Sequence, residues 1–283
     1  MIVKVLLPLI LFFIMFSLGL GLRGRDFTRV LKFPVAFGVG LLNQVILLPL
    51  VALGLAHVFG LDPIFAVGLM ILALCPGGVT SNILTKLAGG NAPLSISLTA
   101  VTSLLSIITV PLMVAFSENH FMGEDARTID VTQLGLRMFL ITALPVAIGM
   151  TLTAKFPALV EKIAPGVSRA AVVLFVVIIV AALAKHWGVF SSNLGTLGPV
   201  AVLLNVVMLG LGLTSAKALR LEGRDATTIS IESGVQNGTL AIGVGVIVAG
   251  VKEGFPPETV PAVVYSITMY FVCVPFVFWR RRC

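Results

Sequence analysis

Nine apolar stretches follow one another along this chain, each about as long as a helix must be to cross ~30 Å of hydrocarbon. They cover residues 3–22, 33–57, 64–87, 93–116, 138–154, 168–185, 195–215, 226–250 and 258–279. Backbone inside lipid has to satisfy its own hydrogen bonds, and the period-2 alternation of a lipid-facing barrel does not occur in these stretches. The expectation is an all-α integral membrane protein with nine transmembrane helices. Composition agrees, because 58% of the 283 residues are hydrophobic and only 11% are charged. A soluble domain of this length could not place so few charges on a wetted surface.

The formal charge of +7 raises the question of nucleic acid, and the positions of the basic residues answer it. With the first connection inside, the cytoplasmic segments hold Arg23, Arg25, Arg29, Lys32, Lys86, Lys155, Lys162, Arg169, Lys217, Arg220, Arg224 and Arg280 to Arg282, fourteen of the nineteen Lys and Arg. The other side holds Lys4, Arg127, Arg137, Lys185 and Lys252, together with the acids Asp62, Glu118, Glu124, Asp125, Asp130, Glu253 and Glu258. This bias predicts a multi-pass protein of the plasma (inner) membrane with its N-terminus outside and its C-terminus in the cytoplasm. The basic charge is topological and implies no nucleic-acid partner. No obligate protein partner is evident.

Leu22 is followed directly by Arg23, Gly24 and Arg25 without a small-residue cleavage pattern, so the first stretch is expected to stay as a helix. The longest polar run, Ser117 to Gln133, is expected to be an exterior connector with a short interfacial helix, and no soluble domain is expected. Cys75, Cys273 and Cys283 are too scattered for a disulfide framework or a metal cluster, and read as free thiols. His57, His120 and His186 fall at stretch ends or in loops, where a solvated imidazole is the ordinary outcome. No HExxH, phosphate-cradling loop or serine elbow with a buried histidine base is present, so an enzyme is not expected.

Two stretches carry interruptions. The third contains Cys75, Pro76, Gly77 and Gly78, a proline that removes a backbone donor followed by two poor helix formers. The eighth contains Glu232, Ser233, Gly234, Val235, Gln236, Asn237 and Gly238. An acid at mid-membrane costs roughly 3 kcal/mol on insertion scales and marks an ion, proton or substrate path by default. Paired interruptions in the two halves of a chain point to an inverted-repeat secondary transporter. Stretches one to four would pair with six to nine, with Gly78 and Val79 matching Gly234 and Val235. Hydroxyls, carboxamides and a carboxylate are hard oxygen ligands, suited to Na⁺ and not to soft metals. Asn205 and Asn43 read as hydrogen-bonding glue between helices, and Gly19 and Gly21 as small residues at helix contacts.

On Cys75-Pro-Gly-Gly, Ser81-Asn82 and Glu232-Ser-Gly-Val-Gln-Asn237, the sequence resembles the bile acid:sodium symporter family over essentially its whole length, and looks like a bacterial member in a nine-helix form. The resemblance implies a core domain of stretches two, three, four, seven, eight and nine, with two broken helices that cross. It also implies a panel domain of stretches one, five and six (3–22, 138–154 and 168–185), with substrate bound between the two. One sodium site would then use Ser81, Asn82, Ser95, Thr99 and Glu232. Ser95 and Thr99, four apart, share a helix face. A second would use Gln44, Glu232, Gln236 and the backbone around Ser233 and Val235. Asn237 and the amides near Thr80 and Ser81 would lie beside the substrate. Val79 stands where a related bacterial protein has a threonine against its ligand, so the resemblance leaves the substrate open.

The expected function is sodium-coupled symport of an organic anion, bile-acid-like or a small carboxylate, by alternating access, with two Na⁺ as coupling ions and no cofactor. The alternatives are a proton-coupled or uncoupled organic-acid exporter, with Glu232 carrying the proton, and a passive channel or sensor.

Overall fold

Every regular element among the described residues is helical. The computed structural model describes residues 2–28, 32–185, 187–251 and 254–282, and side chains from Leu6 onward. Arg29, His186, Lys252, Glu253, Cys283 and the Lys4 side chain therefore lie outside the described residues. The helices are α1 (Ile2–Leu20), α2 (Gly24–Thr28), α3 (Pro34–Val58), α4 (Pro63–Leu74), α5 (Val79–Leu87), α6 (Ala92–Met122), α7 (Val131–Lys155), α8 (Pro157–Lys185), α9 (Trp187–Ala218), α10 (Gly223–Gly234), α11 (Gly238–Ala249) and α12 (Val260–Arg281).

Among the described residues seven helical stretches are long and apolar enough to cross a membrane, α10 and α11 counting together as one. Helices α4 and α5 form a further broken pair bent by 62°, and residues 6–20 of α1 form a shorter apolar helix. This is a multi-span membrane protein. The helices outrun the apolar stretches from which they were expected. Helix α8 starts at Pro157 rather than 168, α9 at Trp187 rather than 195, and α6 continues to Met122, inside the expected 117–133 connector. Hydropathy marks where side chains meet lipid, whereas the backbone ladder continues into the polar interface.

Burial separates centre from rim. Of the most apolar window of each span, 89% is buried in α10–α11 but 22% in α8, so the former is the heart of the bundle and the latter lies at its rim. Small residues let backbones meet where helices cross. A Cβ on Gly19 of α1 would strike the Val146 backbone of α7, and one on Gly149 of α7 would lie 2.6 Å from the Phe16 carbonyl. Gly212 of α9 likewise packs on the backbone of Ser230 in α10. Gly21, by contrast, meets only its own helix.

Within α3, residues Asn43–Leu47 form a π turn. Successive residues of a regular α-helix point about 100° apart. The wider turn accompanies two consecutive polar side chains, Asn43 and Gln44, that are both buried against the centre. π-Bulges of this kind recur at functional sites.

Candidate functional site

Helix α4 ends where its sequence forces it to. Cys75 adopts an extended conformation (φ −74°, ψ 142°), as the residue before a proline prefers. Helix α5 restarts at Val79 with Gly78 as its N-cap. The second break, residues 235–237, follows α10, whose last residue is Gly234. Ser233 and Gly234 thus remain helical although the interruption was expected to begin there. The two breaks touch: the Asn237 amide donates to the Pro76 carbonyl at 3.0 Å.

Glu232, fully buried in α10, sits against this contact. Ser95 Oγ of α6 lies 2.6 Å from Glu232 Oε1 and Thr99 Oγ1 lies 2.9 Å from Oε2. The Ser95 hydroxyl is also 2.6 Å from Asn82 Oδ1. One hydroxyl proton thus faces two acceptor oxygens. Ser81 Oγ, whose proton goes to the Gly78 carbonyl at 2.8 Å, completes the cluster as an acceptor. A Cβ on Gly77 would fall 3.0 Å from that hydroxyl and 3.1 Å from Glu232 Oε2, so the glycine is what admits both oxygens. No ion pair reaches Glu232 among the described residues. Nor does any group of three or more His, Cys, Asp or Glu come together there. The site offers one carboxylate surrounded by neutral oxygens.

Around the backbone of Glu232 a second set of oxygens gathers. Gln44 Nε2 donates to the Glu232 carbonyl at 2.6 Å, and Gln236 Nε2 donates to the Ser233 carbonyl at 2.9 Å. Each carboxamide therefore directs its nitrogen to the break, while Gln44 Oε1 and Gln236 Oε1 are both buried without a hydrogen-bond partner among the described residues. Buried acceptors left open are rare and call for an explanation. A small cavity of about 20 Å³ beside Gln44 has room for one water-sized guest. The Ser233 hydroxyl is not part of this set, since it bonds back to the Ile229 carbonyl of its own helix.

Of the residues expected beside a substrate, Thr80 and Asn237 line a cavity of about 50 Å³, and Ser81 lies behind it with the Glu232 cluster. One wall is made by the N-terminal turns of α5 and α11; the other is largely apolar, with Ile14, Met15 and Leu18 from α1 and Val172 and Phe175 from α8, and carries Ser17 and Ser168. Asn237 Oδ1 accepts from the Leu240 amide and so caps α11. Helix N-termini carry unpaired amides and a partial positive charge, which favour an anion.

Three features escaped the sequence. The Gly234 carbonyl, freed where α10 ends, is held by Asn205 Nδ2 and the Tyr265 hydroxyl, each at 2.6 Å. Asn205 is thus glue for the break rather than for two plain helices, and a tyrosine inside an apolar stretch was the available signal. Glu118, expected in an exposed acidic connector, is buried, as is Glu258. Arg127 Nη1 lies 2.6 Å from Glu258 and 3.8 Å from Glu118. His57 and His120, expected to be solvated singly, are exposed but meet Nε2 to Nε2 at 3.0 Å.

Broken, touching helices around a buried acid, inside a bundle of apolar spans, define a multi-span membrane transporter site. The model of the Sodium Bile acid symporter family matches residues 8–193, and the chain belongs to that family. A Bacillus subtilis protein described as an uncharacterized sodium-dependent transporter is 29% identical over 255 residues, 90% of this chain and 76% of its own. The human ileal sodium/bile acid cotransporter is 27% identical over 275 residues, 94% of this chain and 76% of its own. A rice chloroplastic protein described as a probable sodium/metabolite cotransporter is 29% identical over 271 residues, 95% of this chain. The chain spans only 62% of that rice protein's length. These relatives are described as transporters or cotransporters, none as an enzyme.

Proposed function

We propose that the protein is a secondary active transporter that couples inward Na⁺ to the uptake of an organic anion. The observation that carries this is the oxygen arithmetic at Glu232. Two acceptors share one Ser95 proton, and two buried carboxamide oxygens, on Gln44 and Gln236, have no donor among the described residues. Hard monovalent cations relieve such a surplus of lone pairs. One ion would be held by Ser81, Asn82, Ser95, Thr99 and Glu232, and the other by Gln44, Glu232, Gln236 and the carbonyls around Ser233 and Val235. The sodium-dependent character of the relatives named above supports the same ion.

In this proposal nine spans form two inverted repeats. A core of α3–α6 and α9–α12 rocks against a panel of α1, α7 and α8, with the N-terminus outside and the C-terminus in the cytoplasm. The cavity at the breaks holds about 50 Å³, too little for an organic anion, so the apolar panel wall must withdraw to admit one. Sodium at Glu232 would neutralise the buried carboxylate and fix the breaks, and with them the two helix N-termini that receive the anion. Affinity for substrate and for sodium would then rise together. Two Na⁺ with a monoanion move one net charge, worth about 2.3 kcal/mol per 100 mV.

The test is uptake of a bile acid and of small carboxylates into proteoliposomes with an imposed sodium gradient. Glu232→Gln is expected to abolish sodium-driven uptake while inserting and folding normally. Uptake that persists in that variant, or in wild-type protein when choline replaces Na⁺ at fixed pH, overturns the proposal.

A further inference from the structure

A second cavity, of about 460 Å³, lies between α1, the first turns of α7 and the far half of α11. Its volume is in the range of sites for small organic ligands, about 300–1,000 Å³. Leu7, Leu11, Leu140, Ile141 and Val246 make its walls apolar, and Arg137 provides a guanidinium at its edge. No carboxylate pairs with Arg137 among the described residues. Asp130 shares an adjoining cavity with it and caps α7, its Oδ1 accepting the Gln133 amide at 2.9 Å, and it forms no ion pair with Arg137 among the described residues. Arg127, in the connector that precedes α7, is by contrast held by Glu258.

The position of this cavity gives it meaning. Leu11 of α1 lies on Gly243 of α11, so closely that a Cβ on the glycine would run into the leucine side chain. About one turn further along α1, Ile14 and Met15 line the cavity at the breaks, as Thr239 does about one turn back along α11. The two cavities therefore follow each other along one helix pair, with the Leu11–Gly243 contact between them.

The geometry points to the larger cavity as a waiting site for the transported anion on the outer side: an amphipathic carboxylate whose charged end pairs with Arg137 and whose apolar body lies on the leucine walls. This rests on the proposed function above, with its orientation. Among the described residues nothing like the oxygen cluster of Glu232 lines the cavity, so binding there is expected without sodium. Transfer to the breaks requires Leu11 to leave Gly243. The other candidate for such a cavity is the headgroup of a bilayer phospholipid, which the same guanidinium could hold.

The experiment uses the full chain in phosphatidylcholine nanodiscs and radiolabelled cholate as the probe, in choline buffer without Na⁺. Wild-type and Glu232→Gln proteins are expected to bind cholate with similar affinity. Arg137→Gln is expected to weaken this binding tenfold or more, and Arg137→Lys less. Leu140→Trp, which fills the cavity and keeps the guanidinium, is expected to weaken it as well. In sodium-driven uptake of cholate, Arg137→Gln should raise KM and leave kcat within twofold. Cholate affinity unchanged by Arg137→Gln and Leu140→Trp overturns the inference, as does loss of phospholipid co-purifying in detergent, measured before reconstitution, in Arg137→Gln with cholate binding intact. Because the binding is read without sodium and in the Glu232→Gln background, its failure is separable from failure of the coupling proposal.

Discussion

At the first break the chain is interrupted by its own covalent chemistry. Pro76 lacks a donor, Gly77 and Gly78 are poor helix formers, and Cys75 is pushed to extended geometry before any neighbour is considered. At the second there is no proline. Val235 is extended (φ −106°, ψ 113°) while the carbonyl of Gly234 is taken by Asn205 and Tyr265, residues 29 and 31 positions away from it. One half of the site is thus broken locally and the other is held broken by tertiary hydrogen bonds. The break that carries Glu232 is the one that depends on its surroundings, which suits a segment whose geometry must respond to bound ions.

The contrast fails if the second break survives loss of its props. Asn205→Leu with Tyr265→Phe leaves the Gly234 carbonyl buried without a donor, a loss of about 1–3 kcal/mol for an unsatisfied group. Chemical or thermal unfolding should show it, together with loss of the sodium-induced thermal shift. Next in size is Gly238→Ala, whose Cβ would overlap the Ser266 hydroxyl on α12. Overpacking of this kind costs about 1–3 kcal/mol, and Ser266→Ala in the same chain should restore part of it. If the second substitution restores nothing, the glycine serves some purpose other than close approach.

Gly77→Ala is expected to leave stability nearly unchanged and to raise the sodium KM for uptake by about three- to tenfold, or roughly 1 kcal/mol. Its Cβ would crowd Ser81 Oγ and Glu232 Oε2 at 3.0 and 3.1 Å. An unaltered sodium response would place the ion elsewhere. The smallest effect belongs to Cys75→Ala. The thiol is buried with no side-chain hydrogen bond, so the first break uses this residue for its backbone, and uptake should stay within about twofold. A large loss would mean that the side chain, not the proline that follows, matters at this position.

The sequence by itself determined the helical class, the approximate spans, the proline break of the third stretch and the presence of an acid within the eighth, whose polar run marked the second break without holding it open. Hydropathy over about twenty residues and the absence of a donor on proline are local properties that need no partner to act. It also suggested which oxygens would gather, since Ser95 and Thr99 share a face whatever that face meets. Only the tertiary structure decided that Asn205 and Tyr265 hold the Gly234 carbonyl, that Glu118 and Glu258 are buried with Arg127, and that Gln44 and Gln236 turn their nitrogens toward the second break and leave their oxygens free. Most of those outcomes join residues far apart in the chain, as Gln44 with Glu232 and Tyr265 with Gly234, and a hydrogen-bonding group shows no preference for a partner until packing brings one within reach.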